Sequence, residues 1–568
     1  MNRFSQMRAA LSGWLRFTQG GVSRRRIAIV VLLFASVHVV IAGRLALIGI
    51  KSDPQVARRV SNPDLLASTR PDILDRDGRQ LATDVQSAML YAEPRKGVGY
   101  VDDAVDQLRT VFPDLDEREL RDKLSSKKGF VRLKREISER QQHEVRKLGI
   151  PHVGFLDESK RVYPAGAELS HVLGGVNVDS VGIAGLEKWV DSGGLADLHL
   201  AGFATGRSLK PVQLSVDLAV QHAMRDELMK AQANYQAKST SGMVLDVRTG
   251  EIVAMVSLPD YDPNKPGKPT DLSRLNRLTT GVYEMGSTFK ALTIAMALDS
   301  GKATLASRYD ASAPLHFGRF TITDYHAQRR VLTVPEVFTY SSNIGAAKIA
   351  MSMGVEQHKA FLKKMGQLDR LRTELPESAM PLVPKNWGEI NTATIAFGHG
   401  LAVAPLQAVM ATAALVNGGL LIPPTFLKRS PEEAKKIAKR VLRPETSDKM
   451  RYLFRLNVEK GSARRAEIEG YYVGGKTGTS EKVVRGRYSH EKLLTVFTGV
   501  FPCYDPKYIV LVMVDEPKNT GHSTAGLNAA PTTGQIIARI GPLLGVEPKF
   551  DLPKADQLLL TVSQRAAN

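Results

Sequence analysis

Apolar residues run without a charge from Ile27 to Gly43, and Leu45 to Ile50 continue the run past Arg44. As a helix the stretch would measure about 36 Å, enough to cross the hydrocarbon core of a bilayer with Arg44 reaching the far interface. Arg24, Arg25, Arg26 and three further arginines precede it. The positive-inside rule then predicts a cytoplasmic basic segment over residues 1–26, a single-pass anchor over 27–50 and everything later on the outer side. A cleaved secretory signal ending near Val40-x-Ala42 is the alternative, and it exports the same body.

Beyond the anchor the pattern is mixed up to about residue 210. Ser68 to Gly78 holds short extended residues and an Asp-Gly turn, and Val101–Phe112 and Asp116–Leu124 read as short helices. Phe130 to Leu133 alternates as a strand does. Ser138 with Gln141 makes a capping box for a helix that reaches Leu148 and stops at Gly149. Arg161 to Gly166 and Gly182 to Glu187 close the region with turns. No catalytic constellation forms in it, so residues 51–210 read as a spacer or docking pedestal.

From Leu214 the texture changes. Val216–Tyr235 has the spacing of an amphipathic helix. Met243–Val247 and Ile252–Val256 flank Arg248-Thr249-Gly250-Glu251 as a hairpin whose near-continuous apolar strands predict a sheet covered on both faces. Three late strands follow at Tyr471–Val473, Leu493–Gly499 and Tyr508–Val514, then a helix over Thr533–Leu543. Two early strands, a helical middle from Ser287 to about Asn417 and three late strands predict an α+β domain over residues 211–545, with one antiparallel sheet backed by helices. Residues 546–568 read as a polar tail.

Composition narrows the function. The 568 residues leave room for several domains, and their formal net charge is +19. The first 51 residues carry eight basic side chains and no acid. No basic motif interleaved with aromatics occurs, so nucleic acid is not an expected partner. The single cysteine, Cys503, forms no internal disulfide and reads as a packed residue. The histidines show no metal-ligand spacing, and neither a metal nor another cofactor is expected.

Ser287 and Lys290 lie three residues apart at the start of an apolar helix, which puts an amine within reach of a hydroxyl. Alone this spacing means little, since it recurs at Ser125 and Lys128 in a charged segment. Ser341-Ser342-Asn343 follows 54 residues after Ser287, between a turn and a small-residue helix. Lys476-Thr477-Gly478-Thr479 comes 135 residues after Ser341, on a strand behind Gly474-Gly475. Three weak motifs in this order make one strong signal.

With this trio the chain resembles the penicillin-binding proteins. Arg70 to Gly78 with Leu81-Ala82, Arg161 to Gly166, Gly182 to Glu187, Asn276-Arg277, Gly398-His399-Gly400 and Pro405-Leu406-Gln407 resemble stretches of the class B members, and the whole is most similar to the division-specific, FtsI-like branch. Met285 stands where that family usually has proline, and Pro71 where it has glycine. The resemblance implies a penicillin-binding, serine β-lactamase-like transpeptidase domain on the anchored pedestal. It implies a serine D,D-transpeptidase that forms an acyl-enzyme on a D-Ala-D-Ala stem peptide and passes the acyl group to an amine of a neighbouring strand.

In that mechanism Ser287 is the nucleophile and Lys290 its base, while Ser341 and Lys476 complete the catalytic set. A neutral Lys290 is needed, and burial, a helix N-terminus and Lys476 all favour it. Asn343, Thr477, Gly478 and Thr479 form the substrate-binding stretches. Backbone N–H groups of Ser287 and Thr479 make the oxyanion hole. Ser342, Thr288 and Gly478 are expected to be structural, and His399 and His522, which could line the cleft, read instead as satisfied surface or core histidines.

β-Lactams are the expected covalent inhibitors, and an FtsW-type membrane glycosyltransferase with other division proteins the expected partners. The expected site of action is the division septum, in the periplasm. The alternatives are an elongation-type class B transpeptidase, a D,D-carboxypeptidase, a β-lactam hydrolase or a β-lactam sensor. A small hydrolase needs neither anchor nor pedestal, and 26 cytoplasmic residues leave little room for signalling.

Overall fold

A computed structural model describes residues 22–51, 70–194, 204–205, 208–265, 267–268, 270–518 and 524–555. The expected basic segment up to Gly21, the stretch 52–69, His522 and the tail from Asp556 lie outside the described residues. The chain divides after Thr69.

In the first unit, α1 (Val22–Lys51) is one continuous helix. Its described side chains, residues 29–43, are exposed on every face, with Phe34 at 64% and Val39 at 70%. Among the described residues no helix is long and apolar enough to cross a membrane.

The second unit begins with a small sheet. Strands β1 (Ile73–Leu74), β2 (Gln80–Ala92), β3 (Val131–Ile137), β4 (Val153–Val162) and β5 (Val212–Gln213) form it. β2 pairs antiparallel with β1, β3 and β4, and β1 pairs parallel with β5. Helices α2 (Val101–Val111), α3 (Glu117–Leu124) and α4 (Glu139–Leu148) follow the expected patterns. The Ser138–Gln141 capping box is formed, and Gly149 ends α4 in the left-handed region at φ 66°. Both long strands, β2 and β4, escaped the sequence reading because charged and polar residues break their alternation.

Three of the motif stretches before residue 190 converge on one buried ion network. Arg161 Nε donates to Glu187 (2.7 Å) and its Nη2 to Pro71 O (2.9 Å), while Arg70 Nε donates to the other Glu187 oxygen at 2.9 Å. Arg161 and Glu187 side chains are 1% and 0% exposed. Gly174, Gly182 and Gly185 pack backbone on backbone here; a Cβ on Gly182 would stand 2.1 Å from Glu187 O. These residues weld local chain turns together.

The larger sheet comprises β6 (Ser239–Asp246), β7 (Ile252–Leu258), β8 (Gly474–Val484), β9 (Arg487–Phe501) and β10 (Tyr508–Asp515), in the order β7-β6-β10-β9-β8. Every neighbouring pair is antiparallel. All residues of β6 and β7 are buried. Alternate residues feed two cores: Met243, Leu245 and Ile252 pack on the helical middle, and Val244, Val253 and Val512 pack under α5 (Leu218–Asn234) and α11 (Ala529–Leu543). Each such large apolar side chain is worth about 1.5–3 kcal/mol of burial.

Between β7 and β8 stand α6 (Lys290–Asp299), α7 (Val334–Thr339), α8 (Asn343–Met353), α9 (Pro405–Val416) and α10 (Pro444–Lys460). Small ribbons, pairing 308–310 with 331–333, 315–317 with 320–322 and 420–421 with 439–440, interrupt this middle and were not foreseen.

The strand expected at Tyr471–Val473 instead begins at Gly474. Tyr472 sits at φ 50°, with its hydroxyl donating to Pro553 O and the Arg455 guanidinium 4.1 Å from its ring centre. Side-chain packing has taken this apolar triplet into a turn. Cys503 is buried, 2% exposed, and burial pushes its thiol up to about 12.

Candidate active site

Gly286–Phe289 is a tight 3₁₀ turn leading into α6, so Ser287 and Lys290 project on one side, three residues apart. Met285 precedes it at φ −79°. A proline would fix nearly the same angle, so the substitution leaves this turn intact. Thr288 donates its hydroxyl back to Met285 O at 2.8 Å, which makes it part of the turn.

The turn is gripped from both sides. A Cβ on Gly478 would stand 2.5 Å from Met285 O, and one on Gly398 would stand 2.0 Å from Gly286 O. Only glycine permits β8 and the Gly398–Gly400 turn to lie this close to the nucleophile. The same contacts set Gly286 beside Thr479, bringing the Ser287 and Thr479 backbones together.

Ser341 follows α7 in the left-handed region at φ 58°, an uncommon place for a non-glycine residue. Ser342, next to it, caps α8 by accepting from Gly345 N at 2.9 Å. Asp324, on the loop after the second ribbon, accepts from Ser342 Oγ (2.7 Å) and from Ile344 N (2.9 Å). Together these bonds hold the serine pair and aim Ser341 inward. Asn343 Nδ2 donates to Thr323 O at 2.9 Å, so one end of its amide is already engaged.

Four side chains meet. Lys290 Nζ lies 2.9 Å from Ser287 Oγ and 3.0 Å from Ser341 Oγ, and it also contacts Ser341 O. Lys476 Nζ, from β8, lies 3.0 Å from the same Ser341 Oγ and donates to Thr477 O at 3.1 Å. Lys290 and Lys476 are 0% and 1% exposed.

Burial, then the neighbouring Lys476, hold the Lys290 amine well below its usual range, with Asp324 opposing them. Burial pulls Lys476 down to about 7. The three oxygens around Lys290 suit a neutral amine. Its two N–H groups can serve Ser341 O and Oγ, which leaves its lone pair on the Ser287 hydroxyl. Such an arrangement can take a serine proton and hand it on through Ser341.

Thr477 is buried, with its Oγ1 2.5 Å from Ser462 Oγ, and Thr479 Oγ1 accepts from Ala525 N at 3.2 Å. Ser462 carried no sequence signal beyond a small residue after Gly461. Asp324 was equally silent, because its partners are far away in sequence. The decoy pair Ser125 and Lys128 is exposed on a loop, away from any such cluster. His399 sits between Phe397 and Tyr488, with ring centres 5.3 and 5.6 Å away. Among the described residues no cluster of side chains suits a metal ion.

Two family descriptions match the chain: the penicillin-binding protein transpeptidase domain over residues 240–538 and the penicillin-binding protein dimerisation domain over residues 65–193. The chain is 40% identical over 499 residues to the probable peptidoglycan D,D-transpeptidase FtsI of Caulobacter vibrioides, covering 85% of this chain and 82% of that protein. It is 30% identical to the peptidoglycan D,D-transpeptidase FtsI of Escherichia coli, over 85% of both chains. It is also 32% identical to the stage V sporulation protein D of Bacillus subtilis, covering 84% of this chain and 79% of that one.

Proposed function

The chain belongs to the class B penicillin-binding proteins, and from that premise we propose that it is a serine-type peptidoglycan D,D-transpeptidase whose acyl-enzyme forms on Ser287. The observation that carries this reading is the single hydrogen-bonded cluster of Ser287, Lys290, Ser341 and Lys476. Neutral Lys290 takes the hydroxyl proton as Ser287 Oγ adds to the penultimate D-alanyl carbonyl. The Ser287 and Thr479 backbone N–H groups receive the developing oxyanion, a term of about 3–4 kcal/mol per donor in other enzymes. Ser341 carries the proton to the departing D-alanine nitrogen.

Lys476 with the Thr477 and Thr479 hydroxyls attracts the terminal carboxylate, and Asn343, whose Nδ2 is held by Thr323 O, accepts the substrate amide N–H through Oδ1. The Thr479 oxygen accepts from Ala525 N, which leaves its own proton for the carboxylate, and the Thr477 hydroxyl is held by Ser462, so both groups are positioned before the substrate arrives. An amine of a second stem peptide next attacks the ester and restores Ser287. A β-lactam follows the first half and stops there.

The pedestal and catalytic regions correspond to residues 51–210 and 211–545. The uncharged run from Ile27 to Gly43, with the preceding arginines and the exposed side chains of residues 29–43, supports a single-pass anchor with the catalytic region in the periplasm. Septal wall synthesis beside an FtsW-type glycosyltransferase is the cellular role we assign. A fluorescent fusion should gather at midcell and depletion should give filaments; rounded cells would point to elongation instead.

The central test is chemical. Full-length protein incubated with labelled penicillin should carry the adduct on Ser287 by mass spectrometry, and Ser287→Ala should carry none. Label on another residue, or label surviving that substitution, sinks the nucleophile assignment.

A further inference from the structure

The donor half of the reaction accounts for the four-residue cluster but leaves Glu284, three residues before the nucleophile, without a task. Its Oε1 accepts from two segments far apart in sequence: Gly400 N at 2.9 Å and the Tyr488 hydroxyl at 2.9 Å. Its Oε2 is buried and, among the described residues, has no hydrogen-bond partner. A buried carboxylate oxygen without a donor is costly to keep, so the arrangement is explained best by a donor that arrives with a ligand.

The surroundings indicate which ligand. Gly398–Gly400 rests directly on Gly286, so the carboxylate lies in the wall of the nucleophile's own turn. The donor peptide brings a carboxylate and amides to this site and no cation at its reacting end. The second substrate brings an amine, which at neutral pH arrives as an ammonium.

We propose that Glu284 is the docking group for the ammonium of the acceptor strand, and that the Tyr488 hydroxyl occupies its place in the resting enzyme. The proposal rests on the transpeptidase reading and deepens it.

Tyr488 is suited to leave. It is 45% exposed and pairs with Val483 in the outer end of the β8–β9 hairpin, beyond the register shift at Glu481 and Lys482. At the shift itself Lys482, paired with Ser489, ties the base of this outer end down by donating to Asp515 (2.9 Å) and Glu516 (2.7 Å). Outside it, Arg487 to Lys492 are exposed apart from half-buried Ser489. Lifting this end breaks the Tyr488–Glu284 bond and the stacking on His399, and uncovers the carboxylate.

The acceptor ammonium then pairs with Glu284 and gives one proton to solvent. Its nitrogen adds to the acyl carbon and the ester C–Oγ bond of Ser287 breaks. The second nitrogen proton returns to Ser287 Oγ through Ser341 and Lys290.

The test acylates the full-length protein with a thioester analogue of the donor and partitions the acyl-enzyme among water, methanol and glycinamide. Glu284→Gln keeps an acceptor oxygen for Gly400 N and Tyr488 but removes the charge. It should raise the glycinamide concentration for half-maximal transfer by about tenfold or more, as for other lost charge pairs, while penicillin labelling and methanol transfer stay within about twofold. Tyr488→Phe should lower that concentration, and no change would remove Tyr488 from the proposal.

Equal loss of amine transfer, methanol transfer and penicillin labelling in Glu284→Gln would make Glu284 a strut of the fold and overturn the inference. A wild-type partition ratio in that variant would overturn it too. Wild-type protein that never acylates at Ser287 would instead overturn the transpeptidase reading on which it stands.

Discussion

At the scale of single residues, the two buried lysines of the site carry opposite requirements. In the mechanism we propose Lys290 is neutral, so acylation should rise with pH through its depressed range, whereas Lys476 attracts a carboxylate only while charged and burial brings it to about 7. The second-order rate of penicillin acylation should therefore be bell-shaped, with a descending limb near pH 7 that belongs to the free enzyme. Lys476→Arg keeps the charge at all accessible pH, and its profile should lose the descending limb even though its rate is lower. A limb that persists in Lys476→Arg belongs to another group.

Ser287, Lys290, Ser341 and Lys476 were legible in the sequence because each sits in a motif of fixed local spacing. Asp324, Ser462 and Glu284 were not, because their meaning lies in contacts 18, 15 and 204 residues away in sequence.

Among elements, the first turn of α8 is the delicate one. Its N-terminus is held by Ser342 and by the Asp324 carboxylate, and this grip keeps Ser341 at φ 58°. Asp324→Ala should cost about 1–2 kcal/mol of stability, as lost caps do, and should slow acylation more than stability alone explains. Asp324→Asn leaves an acceptor in place but deletes a negative charge that favours the Lys290 ammonium. Its acylation profile should thus shift the ascending limb to lower pH; an unshifted limb would leave Asp324 as a cap only.

Element types were read well where periodicity was strong, as in α2, α4, β6 and β7. They were misread where side chains were recruited by distant partners, as Tyr472 is by Pro553 and Arg455.

For the whole molecule, acid is the weak point. His358 is 1% exposed, neither ring nitrogen has a partner among the described residues, and burial brings it down to about 4. His171 is likewise about 4 although Nε2 meets Ser273 O at 2.7 Å. A histidine that is harder to protonate folded than unfolded takes up protons on unfolding. Stability is therefore intact above the ordinary value of about 6.5 and falls as the pH drops toward 4, by about 3 kcal/mol for each such residue.

His358→Phe should flatten this decline. Melting temperatures of wild type and variant between pH 7 and 4 should diverge most at the acid end, and parallel curves would mean that His358 is protonated without strain. The arrangement of sheet and helices was foreseen from the order of apolar runs, whereas the ribbons of the helical middle rest on pairings of two or three residues each, too short to show a period.

The order β7-β6-β10-β9-β8 leaves β8 with a partner on one side only among the described strands. An unfilled edge is normally a hazard, since any extended chain can attach to it. Here Lys476, Thr477 and Thr479 lie along that edge, so a substrate peptide can be read as a missing strand, main chain against main chain. Recognition of this kind asks for an extended backbone with the right terminus and is tolerant of side chains. On the proposed mechanism such an edge invites mimicry, because a small rigid amide that copies the end of a strand can meet the same groups.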